Sequence, residues 1–150
     1  MKDSVFNKSI PIAIGSDHAG FDYKEAIKSM LQDAGWTVDD KGPHNADSVD
    51  YPDYAHPVAE AVANHTAVAG VLICGSGEGV CMTANKHQHV RAALCWNEEI
   101  AALTRQHNDA NIICMGSRFA SLELAKNMVD IFLSTSFEGG RHERRVEKID

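Results

Sequence analysis

Two periods alternate along this chain. Apolar residues come in short runs at Pro11–Gly15, Trp36–Asp40, Ala69–Cys74, Arg91–Leu94 and Ile112–Met115, each about the length of a strand. Between these runs they recur every three or four positions, the spacing that lines one face of a helix. Phe21–Ala34 places Ala26, Ile27, Met30, Leu31 and Ala34 on such a face, and Gly35 punctuates its end. Tyr54–Asn64 does the same with Ala55, Val58, Ala59 and Val62, after a polar loop over Lys41–Asp53. Val80–Lys86 and Asn97–Gln106 predict further helices, and Leu122–Ser134 carries a stripe of Leu124, Ala125, Met128, Val129 and Phe132.

Five strand–helix units of this length predict an α/β fold, a five-stranded parallel sheet with helices on both faces. No repeat, low-complexity tract or internal linker interrupts it, and 150 residues suit one domain. Two segments fall outside the pattern. Met1–Ser9 is an extension with no role legible in its residues, and Glu138–Asp150 is a glycine-led, charged tail. Ligands of such sheets bind beyond the carboxyl ends of the strands. Gly15–Gly20, Cys74–Gly79 and Gly116–Arg118 all follow strands directly, so the three segments should gather at one edge.

Composition narrows the partners. With 44% hydrophobic and 23% charged residues the chain is of ordinary globular type. Its net charge of -7 argues against a nucleic-acid surface. It leaves room for an anionic small molecule, since a few local arginines can dominate a pocket. No apolar run reaches membrane-spanning length, and Met1–Ser9 lacks a signal-peptide core. Cys74, Cys81, Cys95 and Cys114 form no CxxC pair, which suits free thiols in a cytoplasmic protein.

The candidate chemistry centres on Cys74. The thiol ends an apolar run and meets Gly75, Ser76, Gly77, Glu78 and Gly79, a loop whose backbone N–H groups can approach a phosphate or a developing oxyanion. The helix that follows would turn its positive end toward the sulfur. A core cysteine before a glycine turn remains the plainer reading of the same residues. The loop lacks the spacing of GxGxxG, and Gly15–Gly20 is followed by Phe21-Asp22 where a P-loop needs Lys-Ser/Thr, so dinucleotide and nucleoside triphosphate binding are disfavoured.

Asp17-His18 follows the first strand and suits a sugar hydroxyl or a phosphate, or else a helix cap beside a surface histidine. His107 could exchange protons and Asn108 donate to an oxyanion, or the histidine could merely complement a helix C-terminus. Arg141 and Arg145, four apart, share a helical face suited to clamping a phosphate, with His142 nearby, although a solvated tail has the same composition. Arg118 is a further anion ligand. His44, His56, His65, His87 and His89 show no HExxH, cysteine pair or carboxylate cluster, so no metal is expected.

Together these segments resemble the ribose-5-phosphate isomerase B / galactose-6-phosphate isomerase family, and its first branch more than its second. The matching pieces are IAIGSDHAGFDYK, DKG…VDYPDYA, VLICGSGEGVCMTANK, RQHNDANIICMGSR and FEGGRHERRV, in order over about residues 10–148. The resemblance implies a Rossmann-like three-layer sandwich and cofactor-independent aldose–ketose isomerisation of a sugar phosphate. It implies that Cys74 is the base moving a proton between C1 and C2 through a cis-enediolate. Some members replace this cysteine and carry a glutamate just after the glycine loop; here that position is Val80, so the chain is of the cysteine type, with Glu78 inside the loop.

By the same resemblance His107 would help open the furanose ring with Asp17 as partner. Asn108 and the N–H groups of Gly75–Gly79 would hold the enediolate. His18, Arg118, Arg141 and Arg145 would hold the phosphate, and Tyr51 and His142 would line the site. The tail 138–150 is then a phosphate-binding segment. A homodimer or dimer of dimers is implied, with His107 and Asn108 facing a neighbour's Cys74. Ribose 5-phosphate and ribulose 5-phosphate are the expected pair. A four- or six-carbon sugar phosphate, or a non-catalytic sugar-phosphate sensor, remains open, and Trp96-Asn97 and Lys41–Asp50 are where carbon number would be read.

Overall fold

The computed structural model describes residues 1–150. The elements run β1 (Ile12–Ser16), α1 (Phe21–Asp33), β2 (Val38–Asp40), α2 (Pro52–Ala63), β3 (Ala69–Cys74), α3 (Glu78–Ala84), β4 (Ala92–Leu94), α4 (Glu98–Asn108), β5 (Ile112–Gly116), α5 (Leu122–Ser134) and α6 (Arg141–Val146). All five strands join one sheet in the order β2-β1-β3-β5-β4, every pair parallel. The strand order reverses direction between β1 and β3, the crevice where open α/β sheets take their ligands.

Side-chain alternation sorts the core into two layers. Ile12, Ile14, Val71, Ile73, Ile113 and Met115 face one way, packed against α1, α4 and α5 through Ile27, Leu31, Ala101, Met128, Val129 and Phe132. Ala13, Leu72, Cys74, Ile112 and Cys114 face the other way, against Ala55, Val58, Ala59 and Val62 of α2 and Val80 and Ala84 of α3. The middle strands β1, β3 and β5 are buried along their whole length, hence their unbroken apolar runs; edge strands β2 and β4 are only half-buried. This is the α/β sandwich that the pattern predicts. No helix is long and apolar enough to cross a membrane.

Boundaries depart from the expectation where capping chemistry decides them. Helix α2 starts at Pro52, because proline is at ease in the first turn. Helix α4 runs on to Asn108 and is closed by Asp109 at φ 47, so His107 and Asn108 belong to its last turn. Asn97 caps its start, accepting from the Ile100 N–H at 2.8 Å. The charged tail is not shapeless, since Arg141–Val146 forms α6.

Periodicity gives no sign of one buried charge. Lys24 is fully enclosed, and its Nζ donates to both Asp40 oxygens at 2.9 and 2.8 Å, tying α1 to β2. The extension has a place as well. Residues 2–8 lie along α5 and the end of α1, with the Val5 N–H donating to the Leu133 C=O at 2.9 Å and Phe6 stacked on Phe132.

Candidate active site

Cys74 is the last residue of β3, at the carboxyl edge of the sheet beside the β1/β3 crevice. Its side chain is largely buried, and the Gly77 N–H donates to its Sγ at 3.1 Å. Gly77 makes that bond from φ 81, where a Cβ would sit 2.6 Å from the Leu94 Cδ1 and the Met115 carbonyl carbon. Only glycine fits there. Gly79 faces the Tyr51 ring so closely that a Cβ would meet its Cζ at 2.6 Å, which places Tyr51 over the loop.

The loops after β1 and β5 close on the same edge. The Ser117 N–H donates to the Cys74 C=O at 2.9 Å and the Arg118 N–H to the Gly75 C=O at 3.1 Å. The exposed Arg118 guanidinium lies against Gly75. The Asp17 N–H donates to the Ile73 C=O at 3.2 Å, and its Oδ1 accepts from the Gly20 N–H at 3.0 Å, closing the turn ahead of α1 rather than capping the helix, whose N-cap is Gly20. His18 is exposed and its Nδ1 accepts from the Val49 N–H at 3.2 Å. Asp17, His18, Tyr51, Cys74–Gly79 and Arg118 therefore form one cluster. Glu78 corrects an expectation: it is the exposed first residue of α3, not a loop residue.

A second cluster forms elsewhere. His107 and Asn108, ending α4, line a cavity of about 500 Å³ with Arg141, His142 and Arg145, walled by Val146 and Ile149. The His107 and His142 rings stack at 4.4 Å and 12°. Desolvation, then electrostatic contributions from the neighbouring His107 and Arg141, push the His142 imidazole below its ordinary value. Glu138 brings a carboxylate oxygen to 3.6 Å from the His107 Nε2, and its N–H donates to the Gln106 C=O at 3.0 Å.

The two clusters stand at opposite edges of the sheet. Helix α4 leaves the carboxyl edge after β4 and returns the chain to the amino edge, where β5 begins at Ile112. Cys74 pairs with Gly116, at the far end of that strand. Four strand steps separate the edges, about 13 Å. The predicted phosphate ligands divide accordingly, His18 and Arg118 with Cys74, Arg141 and Arg145 with His107.

Sequence reasoning missed Glu138. Together with His107 and His142 it offers three ligand atoms within 4.8 Å of one another, across a spacing no metal motif announces. The near-parallel rings do not favour an ion, since a metal must lie in the plane of each imidazole it binds. Beside the glycine loop a cleft of about 300 Å³ opens between Ser76, Glu78, Leu94, Trp96 and Phe119, with Trp96 and Phe119 exposed. Of the other thiols, Cys95 and Cys114 are buried in the core. Burial, then the Cys81 charge, pushes Cys95 up to about 12, and burial raises the enclosed Cys114 as well.

Residues 12–149 match the Ribose/Galactose Isomerase family. The chain is 48% identical over 138 residues to ribose-5-phosphate isomerase B of Escherichia coli (strain K12), covering 92% of this chain and 93% of that protein. Its fold is similar to that of Clostridium thermocellum ribose-5-phosphate isomerase B, at TM-score 0.92 and 46% identity, over 93% of this chain and 95% of the other. It is equally similar, at TM-score 0.92 and 46% identity over 95% of each chain, to Mycoplasma genitalium ribose-5-phosphate isomerase B with bound ribulose-5-phosphate.

Proposed function

The chain belongs to the ribose/galactose isomerase family and is an aldose–ketose isomerase, and we propose that it interconverts D-ribose 5-phosphate and D-ribulose 5-phosphate with Cys74 as the base. The observation that carries the assignment of the base is the placement of Cys74 at the β1/β3 crevice, its sulfur already met by a loop N–H. The thiolate takes the proton from C2 of the open aldose and returns it to C1, while the O2 hydroxyl proton passes to O1. Charge passes through a cis-enediolate whose oxygens meet Asn108 and the N–H groups of Gly75–Gly79. A single well-placed donor of this kind is worth about 3 kcal/mol in the transition state.

Ring opening comes first and falls to His107 with Asp17. His18, Arg118, Arg141 and Arg145 take the phosphate, and Tyr51, Ser76 and His142 line the site. The opposed clusters support a site completed across two chains, His107 and Asn108 of one copy reaching Cys74 of another, in a homodimer or dimer of dimers. No resident metal or cofactor enters this chemistry. Four unpaired cysteines suit a reducing, cytoplasmic setting.

The test is an NMR isomerisation assay on four-, five- and six-carbon aldose phosphates, with and without chelator. The five-carbon substrate should turn over fastest and chelator should change nothing. Faster turnover of a four- or six-carbon substrate overturns the substrate assignment, and loss of activity in chelator restored by a divalent cation overturns the metal-free mechanism.

A further inference from the structure

The extension ahead of the matched family region, residues 12–149, is not idle chain. It is pinned at both ends. The Lys2 N–H donates to the Asp130 Oδ1 at 2.9 Å and the Ser4 hydroxyl to the Leu133 C=O at 3.0 Å. Lys8 donates from Nζ to the Ala34 C=O at 2.7 Å while lying over the Trp36 ring. Between these anchors Phe6 is delivered to the guanidinium of Arg105, 4.6 Å from its ring centroid, with Phe132 on the same group at 5.6 Å.

Arg105 is only 5% exposed, and what it holds is specific. Its Nη1 donates to the Asp109 Oδ1 at 2.8 Å and to the Ala110 C=O, locking the left-handed residue that closes α4 just after His107 and Asn108. Its Nε donates to the Thr135 C=O at 3.2 Å, fastening the start of the segment that leads to Glu138 and α6. One buried cation thus joins the two pieces of chain that supply His107 and Asn108 on one side and Arg141, His142 and Arg145 on the other. Burial, and after it the nearby Arg91 charge, push its pKa down, while its hydrogen bond to the Asp109 carboxylate works against that.

We propose that Phe6 and Arg105 are positioning residues for the His107 half-site, the N-terminal strap acting as a clamp that holds Arg105 between α4 and the C-terminal segment. This rests on the reading of His107 as the ring-opening residue. A cation held against two aromatic faces and away from water keeps one geometry, and the exposed half-site it supports gains from that order.

The experiment compares Phe6→Ala, Phe6→Leu and Phe6→Tyr in the full chain. Phe6→Ala should shift the His107 and His142 imidazole NMR signals, weaken inorganic phosphate binding, and lower kcat/KM for ribose 5-phosphate roughly five- to tenfold, with kcat falling as well. Phe6→Tyr, which keeps the ring, should restore all three. Phe6→Leu keeps the apolar cover without the ring and should behave like Phe6→Ala, so it serves if Phe6→Ala does not fold. A lower melting temperature with unchanged histidine signals, phosphate affinity, kcat and KM would overturn the proposal. The NMR and phosphate readouts need no turnover, so they decide it even if the substrate proves to be another sugar phosphate.

Discussion

At the level of single residues the assignment stands on Cys74 and His107, which should fail in different ways. Cys74→Ala should lower kcat by at least ~10²-fold with binding of ribose 5-phosphate largely kept, because a base acts in the transition state rather than in the ground state. Near-normal turnover would remove it from the mechanism and turn attention to Glu78. His107→Asn should slow ribose 5-phosphate far more than a substrate unable to cyclise, and equal losses on both would deny it the ring-opening role. Cys74 and its loop were legible because a strand end followed by three alternating glycines is a local signal. Glu138 was not, since its meaning comes only from the fold, which brings it to His107 across 31 positions of sequence. Arg105 hid for a related reason: a charge on an amphipathic helix reads as solvent-facing until its partners Asp109, Ala110 and Thr135 are in place.

At the level of elements, strand and helix identities followed from periodicity, while their ends depended on Pro52, Asn97 and Asp109, whose effects reach only one or two residues. The short α6 shows the limit. Arg141 and Arg145 were readable as a shared face, but six residues with no buried member carry no apolar stripe to announce a helix. Replacing both arginines with alanine should raise KM for sugar phosphates sharply, each charge-assisted hydrogen bond being worth roughly 1.5–3 kcal/mol, and inhibition by inorganic phosphate should weaken in parallel. Unchanged KM and phosphate inhibition would return α6 to the status of a solvated tail.

The α1–β2 pin makes a separate prediction about stability. Burial acts to raise the Asp40 carboxyl, but Lys24, the Gly42 N–H and Lys28 together hold it below its ordinary value. That pairing stabilises the fold above the ordinary carboxylate range, and the contribution drains away as pH falls through the lowered folded value. Asp40→Asn should therefore cost about 3 kcal/mol at neutral pH and distinctly less at about pH 3, as read from urea unfolding. An equal cost at both would mean that the charge adds nothing.

The whole molecule poses a geometric problem that its parts do not. A right-handed crossover must carry the chain from the carboxyl edge back to the amino edge before the next parallel strand. Any residue in the last turn of α4 is thus kept away from any residue ending β3, whatever their side chains. Cys74 and His107 obey that rule within one chain, about 13 Å of sheet between their edges. If both serve one reaction, the missing half must come from another copy, and a mixing experiment can show it. Cys74→Ala and His107→Asn proteins, each nearly inactive on ribose 5-phosphate, are dissociated together, reassembled, and the heterodimers isolated by differential tags. In a shared-site dimer one of the two sites then carries both lesions and the other carries neither, so about half of the normal activity per dimer should return. A site built within each chain predicts the opposite, because every chain keeps its own lesion wherever it is paired. Verified heterodimers that stay inactive would rule out sharing and leave each subunit working alone.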